Sequence, residues 1–357
     1  MDKKALIAMS GGVDSSVAAF LTKESGDECI GITMKLFANE DIGINREKSC
    51  CSLDDIEDAR SVCYRIGIKY YVFNFASRFR EDVMDRFVSA YEKGHTPNPC
   101  IDCNRYLKFD QMFRRMKEIG YDYIVTGHYA RIEYDEEKQR YLLKKAIDET
   151  KDQSYVLYML TQEQLAHISL PLGSLRKSEV REIAEQNGFV NARKHDSQDI
   201  CFVPDGDYAK FIEKHRGYPS EPGNFVDKEG NVLGQHKGII HYTLGQRRGL
   251  GIPAKDRLYV CEISPKTNTV VLGDNSDLYR KSFDMNDLNL IAFDRIDTPI
   301  RCKVKARYRH AEQWATVEQI EADRLHVTFD EPQRAITPGQ AAVMYDGDCV
   351  LGGGTIL

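Results

Sequence analysis

From residue 5 to about 130, short apolar runs alternate with stretches whose apolar residues recur at helical spacing. Ala5–Met9, Cys29–Phe37, Tyr70–Phe75 and Tyr123–Thr126 read as buried strands. Ser15–Ser25, Ile56–Ile66, Arg78–Lys93 and Arg105–Ile119 read as helices, the first three closed by Gly26, Gly67 and Gly94. This alternation predicts βαβ units on a parallel sheet, a Rossmann-like α/β domain with helices on both faces. In such sheets a ligand lies beyond the carboxyl ends of the strands. Met9-Ser10-Gly11-Gly12, Met34-Lys35 and Thr126-Gly127-His128 all fall at such ends.

The same texture continues to about residue 203, with a strand pair near Tyr141–Lys145 and helices near Gln162–His167 and Leu175–Asn187. From Pro204 glycine and proline become frequent and helical periodicity fades, which predicts a small β-rich middle domain over 204–273, poor in regular strands. Arg301–Arg309, Trp314–Ile320, Arg324–Phe329 and Ala341–Tyr345 then alternate as short strands. They predict an antiparallel β-barrel over 274–357. The catalytic domain is expected at 1–203.

Composition narrows the class. With 357 residues, 42% hydrophobic and 29% charged, the chain has the balance of a soluble globular protein. No apolar run approaches the ~20 residues that span a bilayer, and Ala5–Met9 is too short for a signal-peptide core. A cytoplasmic protein with no membrane partner is expected. The net charge of −6 hides local basic stretches. Lys237, Arg247, Arg248, Lys255 and Arg257 lie in the middle region. Arg301, Lys303, Lys305, Arg307 and Arg309 stand at alternate positions and are expected on one strand face, a phosphate-contacting surface beside Tyr308.

Ser10-Gly11-Gly12-Val13-Asp14-Ser15-Ser16 joins a strand to a helix. Two glycines let the backbone approach an anion, and the helix N-terminus supplies amides and a positive dipole end. Asp14 beside phosphates makes sense as a Mg²⁺ ligand. No lysine follows the glycines, so this is not the loop of γ-phosphate-transferring NTPases; it suits a pyrophosphate group. The string resembles the PP-loop of ATP pyrophosphatases, which adenylate a carbonyl oxygen and release pyrophosphate.

Ten cysteines in a chain without secretory features are ordinarily buried apolar residues. Cys29, Cys50, Cys51, Cys63, Cys261, Cys302 and Cys349 are read that way. Cys103 differs. It follows the rigid Thr96-Pro97-Asn98-Pro99 entry at the start of a helix, where a thiol's pKa is expected to fall. Cys201 lies in Asp196-Ser197-Gln198-Asp199-Ile200-Cys201-Phe202.

Together these segments resemble the tRNA-specific 2-thiouridylase (MnmA) family over essentially the whole chain. The resemblance is also carried by Cys103-Asn104, Thr126-Gly127-His128-Tyr129, Lys151-Asp152-Gln153-Ser154-Tyr155, His241-Tyr242-Thr243-Leu244-Gly245-Gln246-Arg247, Arg307-Tyr308-Arg309 and Thr337-Pro338-Gly339-Gln340. It implies replacement of O2 of the wobble uridine by sulfur. ATP with Mg²⁺ adenylates the oxygen, and a Cys201 persulfide supplies the sulfur with Cys103 as its catalytic partner. The persulfide attacks C2 directly, or Cys103 attacks the persulfide; both routes end in a Cys103–Cys201 disulfide that a thiol reductant reopens.

By position, the resemblance assigns Ala8, Met9, Ser10, Gly11, Gly12, Val13, Asp14, Ser15, Met34 and Gly127 to ATP. Asn98, Pro99 and Cys100 correspond to the loop that meets the target base. His128, Lys151, Asp152, Gln153, Arg307, Tyr308 and Gln340 correspond to other tRNA contacts. The implied partners are the anticodon stem-loop of tRNA, a sulfur carrier protein and a thiol reductant; a monomer binding one tRNA is the default expectation, on which the sequence is silent. Some members carry Asp where this chain has Cys100, which moves acid–base work to Asp102, His128 or Asp199, or dispenses with it. Cys100 also opens alternatives: a local disulfide within Cys100-Ile101-Asp102-Cys103, or an iron–sulfur cluster on Cys100, Cys103 and Cys201. A PP-loop ligase or amidotransferase, indifferent to both catalytic cysteines, and a non-catalytic RNA-binding protein that senses nucleotide are the competing classes.

Overall fold

The computed structural model describes residues 3–37, 53–194 and 200–357. Cys50, Cys51, Asp196, Ser197 and Asp199 lie outside the described residues. The chain divides into two compact units, one of residues 1–83, 100–204 and 347–351, the other of 84–99, 205–346 and 352–357.

The first unit is built on strands β1 (Lys4–Ala8), β2 (Glu28–Lys35), β3 (Lys69–Asn74), β4 (Tyr123–Val125) and β5 (Ile168–Ser169). Their order is β3-β2-β1-β4-β5, and every neighbouring pair is parallel. β1 is apolar throughout its centre because both sheet faces are covered: Ala5, Leu6 and Ile7 are fully buried. Helices α1 (Val13–Glu24), α2 (Leu53–Arg65) and α3 (Lys177–Gln186) supply core partners such as Val17, Ala59, Val62, Val180 and Ala184. Strand order reverses at β1, with β2 on one side and β4 on the other. The crevice past the carboxyl ends of β1 and β4 is therefore the topological switch point.

The second unit opens with helix Arg86–Glu92, whose Phe87 ring lies 6.1 Å from both Tyr208 and Phe211 of helix Tyr208–Arg216. Strands β6 (Gly223–Val226), β7 (Val232–His236), β8 (Tyr259–Ser264) and β9 (Thr269–Gly273) form a sheet in the order β8-β9-β6-β7 over a core of Phe225, Tyr242, Val260, Val270 and Leu272. The middle region is thus richer in regular strand than its composition suggests. β6 and β7 each include a glycine, and β7 exposes Val232, Leu233 and Gln235, which blurs the apolar alternation that marks a strand in sequence.

A closed antiparallel barrel follows: β10 (Tyr279–Leu290), β11 (Ile300–Lys305), β12 (Gln313–Glu321), β13 (Arg324–Arg334), β14 (Ala341–Asp346) and β15 (Cys349–Ile356). β10 pairs with β13 and β15, which closes the ring. Cys302 and Val304 of β11 point into the core, so Arg301, Lys303 and Lys305 face outward. The five-residue basic face is corrected to three. The strand ends at Lys305, and Arg307 and Arg309 lie in the following turn, where alternation no longer fixes a face.

Candidate active site

The phosphate loop leaves β1 and enters α1 with Gly11 at φ +74. A Cβ at Gly11 would stand 2.4 Å from the Asp55 carbonyl oxygen, so both conformation and space demand glycine here. A Cβ at Gly127, past β4, would lie 2.7 Å from backbone atoms of Asp14 and Ser15. β4 and the loop therefore touch backbone to backbone. Ser15 and Ser16 hydroxyls donate to the Gly12 carbonyl at 3.0 Å, and the Ser10 amide donates to Ser15 Oγ at 3.1 Å. The Met9 carbonyl accepts from Thr33 Oγ1 (2.8 Å), itself held by the Tyr70 hydroxyl (2.7 Å). Ala8 ends β1, Val13 is buried at the start of α1, and Met34 is half-buried near the end of β2.

Tyr129, from the Thr126–Tyr129 motif, and three residues without any motif signature complete the loop. Lys177 Nζ donates to both oxygens of Asp14 at 2.7 Å, and the Tyr129 hydroxyl donates to Oδ1 at 2.7 Å. Asn191 Nδ2 donates to the Gly11 carbonyl and Ser16 Oγ, each at 2.9 Å. Lys194 Nζ reaches Asp55 and Asp58 at 2.6 Å and the Gly11 carbonyl at 3.3 Å. Burial opposes the charge of Lys194, and its two carboxylate partners more than offset that, raising its pKa. Lys177, Asn191 and Lys194 stand far from the loop in sequence, and no spacing pattern points to them.

The expected metal ligand is differently employed. Both Asp14 oxygens already serve an ammonium, and one also serves a phenol, a donor set that does not fit a vacant Mg²⁺ position. Among the described residues no three His, Cys, Asp or Glu side chains are placed to hold a metal ion. Cys100, Cys103 and Cys201 are thus not gathered as a cluster site.

Pro99–Asp102 begins a helical run that continues through a π-helical stretch, Cys103–Gln111. Cys103 is its fifth residue, not its first, and it is buried. The expected fall in thiol pKa is therefore corrected. Burial pushes the Cys103 thiol up to about 11, against the opposing Lys108 charge. Cys100 is exposed and Cys201 half-buried, and no disulfide joins the described cysteines. The short helix Ala76–Phe79 packs against the stretch carrying Cys103, and its Phe79 ring meets Phe202 with centroids 5.6 Å apart. Phe79 thus connects the elements that bear the two catalytic candidates. Cys29, Cys63 and Cys302 are buried as expected, while Cys261 and Cys349 are half-buried.

His128 is buried under Phe109, with Nδ1 2.8 Å from Thr126 Oγ1. Burial, reinforced by the Lys108 charge, holds its imidazole well below the ordinary range, so it is neutral at pH 7. Gln153 and Tyr129 pair through two bonds, the Tyr129 amide to Gln153 Oε1 (2.9 Å) and the Gln153 amide to the Tyr129 carbonyl (2.8 Å). Asp152 accepts from the Ala146 and Ser154 amides and the Ser154 hydroxyl. Lys151 is half-buried, its amide bonded to the Asp148 carbonyl.

In the second unit, motifs distant in sequence converge. Gln340 Nε2 donates to the Thr96 carbonyl at 2.6 Å, and the Thr96 amide donates to the Pro338 carbonyl at 2.9 Å. Gly339, at φ +87, has no room for a Cβ, which would lie 2.8 Å from His95 Cβ. Arg307 donates to Thr337 Oγ1 and the Leu244 carbonyl. The turn holding Gln340 therefore braces the segment that leads to half-buried Asn98 and buried Pro99. Tyr308 is exposed, and the only tryptophan, Trp314, is 47% exposed with Arg301 and Lys303 cations 5.3 and 5.5 Å from its ring.

A parallel sheet with a Gly/Ser loop at its switch point, wrapped on a helix N-terminus, defines a nucleotide-binding α/β protein. The family models that match are a tRNA methyl transferase HUP domain over residues 3–205, a tRNA methyl transferase PRC-barrel domain over 209–274 and an aminomethyltransferase beta-barrel domain over 280–356. The chain is 52% identical over 356 residues to the tRNA-specific 2-thiouridylase MnmA of Clostridioides difficile, covering 100% of this chain and 98% of that one. It is 51% identical to the protein of the same name from Acetivibrio thermocellus, covering 99% of both. Among solved structures, a 4-thiouridine synthetase–RNA complex with bound ATP is 19% identical, with TM-score 0.37 over 57% of this chain and 45% of that one. The chain belongs to the tRNA-specific 2-thiouridylase family. Across the described residues no helix is long and apolar enough to cross a membrane.

Proposed function

We propose that this protein is an ATP-dependent tRNA-uridine 2-sulfurtransferase. The uridine C2 carbonyl is a poor electrophile, and its oxygen is a poor leaving group. Attack of O2 on the α-phosphorus of ATP releases pyrophosphate and converts that oxygen into part of AMP. The terminal sulfur of a Cys201 persulfide then attacks C2, and AMP departs. The Cys103 thiolate attacks the Cys201 sulfur, the S–S bond breaks, and the transferred sulfur stays on C2 as the thiocarbonyl. A Cys103–Cys201 disulfide remains, and an external dithiol reduces it by two electrons.

The observation that carries this reading is the phosphate loop, with glycine obligatory at Gly11 and Gly127 pressed against it. It lies in a unit that also holds Cys103 and Cys201. In this reading the loop binds ATP, and the ammonium of Lys108 lowers the cost of ionising buried Cys103. The base-recognition loop is Asn98-Pro99-Cys100, and the outward face of β11 and β12 receives tRNA phosphates. Cys201 takes its sulfur from a carrier protein.

The test is an anaerobic assay with ATP, tRNA and a persulfide source, comparing wild type with Cys100→Ser, Cys103→Ser and Cys201→Ser alongside iron analysis. Loss of 2-thiouridine in the last two alone, with AMP and pyrophosphate still formed, is the expected result. Loss in all three with bound iron replaces the persulfide route by cluster chemistry. Unchanged AMP and pyrophosphate release in all three, with no 2-thiouridine from wild type or variants, returns the protein to the ligase class.

A further inference from the structure

The phosphate loop has no lysine in its own sequence, yet two ammonium groups reach it from 163 and 183 residues downstream. They are used differently. Lys194 is shared between Asp55 and Asp58 and fixes the back of the loop at the Gly11 carbonyl. Lys177, the first residue of α3, has its amide bound to Asp148 (3.0 Å) and its ammonium held by both oxygens of Asp14 in the first turn of α1. Its side chain is only 11% accessible and that of Asp14 31%, so the lysine end of the ion pair is the sheltered one. Tyr129 holds the same carboxylate and places its ring 5.7 Å from Lys177 Nζ.

This arrangement answers an electrostatic difficulty. A carboxylate one turn from the amides that receive phosphates repels them, and low local polarity magnifies that repulsion. A carboxylate partly withdrawn from water also gains from being paired. Lys177 cancels the carboxylate charge and so removes the repulsion, while the Asp14–Tyr129 pair keeps the flexible lysine side chain in place.

We propose that Lys177 is the phosphate-loop cation of this protein, a positioning residue that cancels the Asp14 charge beside the polyphosphate, with Asp14 as its anchor rather than a metal ligand. The inference rests on the ATP reading above, and its test separates the two. Calorimetric titrations with ATP, pyrophosphate and AMP are run on the full chain, with magnesium and with EDTA. The variants are Lys177→Met, Lys177→Arg, Asp14→Asn and Tyr129→Phe, each checked for an unchanged circular dichroism spectrum. Lys177→Met is expected to weaken ATP and pyrophosphate roughly 10- to 100-fold with and without magnesium, the scale of one charge-assisted contact. AMP binding stays within about twofold, Lys177→Arg recovers most of the loss, and Tyr129→Phe costs only a few-fold.

Unchanged pyrophosphate affinity in Lys177→Met overturns the inference and leaves the ATP reading standing. So does an equal loss for AMP, which would make Lys177 a structural strut. Loss of magnesium dependence in Asp14→Asn, with Lys177→Met unaffected, would return Asp14 to the metal. Wild type without ATP affinity removes the nucleotide reading and this inference with it.

Discussion

The phosphate loop and the outer barrel face use the same side chains in opposite ways. Around the loop, Lys177 is sheltered from solvent and Lys194 is half-buried, and each is locked to carboxylates at 2.6–2.7 Å. On the barrel, Lys303 and an exposed Arg301, itself paired in the open with Asp330, surround an exposed tryptophan, and Lys305 lies 5.6 Å from the Tyr308 ring. Sheltered pairs define a geometry, because leaving either partner alone is costly. Exposed cations define a field, which is screened by salt and tolerant of detail. The first suits a small polyphosphate that has to sit in one pose. The second suits a long polyanion met at many points.

Four measurements sharpen or break that contrast. The largest effect is expected from Cys201→Ser or Cys103→Ser, with 2-thiouridine formation falling on the order of a thousandfold or more. Nucleotide affinity should stay unchanged, since neither cysteine belongs to the loop. Next, Gly11→Ala combines a positive φ with a backbone clash at 2.4 Å. Strain on the order of 1–3 kcal/mol should weaken ATP binding about 10- to 100-fold while tRNA affinity holds. A variant that keeps ATP affinity would show the loop to be pliable.

On the barrel, Lys303→Gln should weaken tRNA binding only a few-fold and lower the slope of log affinity against log salt by about 1, uniformly across tRNA sequences. A salt slope equal to wild type would remove that face from the interface. The smallest effect belongs to Gln340→Ala, which frees the Thr96 carbonyl at a stability cost of about 1 kcal/mol. Thermal unfolding should shift by only about 1 °C, and thiolation should respond through KM for tRNA before kcat.

Much of the fold was readable because its signals are local. Lys-Ala-Leu-Ile-Ala followed by Ser-Gly-Gly requires a buried strand, a tight turn and a helix start, and β1, Gly11 and α1 follow. Inward Cys302 and Val304 likewise place Arg301, Lys303 and Lys305 outward through the strand's period of two. That inference failed at Arg307, where the strand had ended and Arg307 instead joined Thr337 and Leu244. The thiol of Cys103 misled for a similar reason. A helix start was evident nearby, but how many residues preceded the cysteine within it, and what covered it, were not.

The amino-acid order alone settled the alternating α/β plan, the phosphate loop and the family, since propensity, turn chemistry and motif order act over a few residues at a time. Only the folded chain brought Lys177, Asn191 and Lys194 to that loop, turned Asp14 toward an ammonium and set Gln340 against Thr96. Each of those contacts joins residues more than a hundred positions apart. Their meeting depends on how sheets and helices pack, and packing is a property of the whole core rather than of any segment.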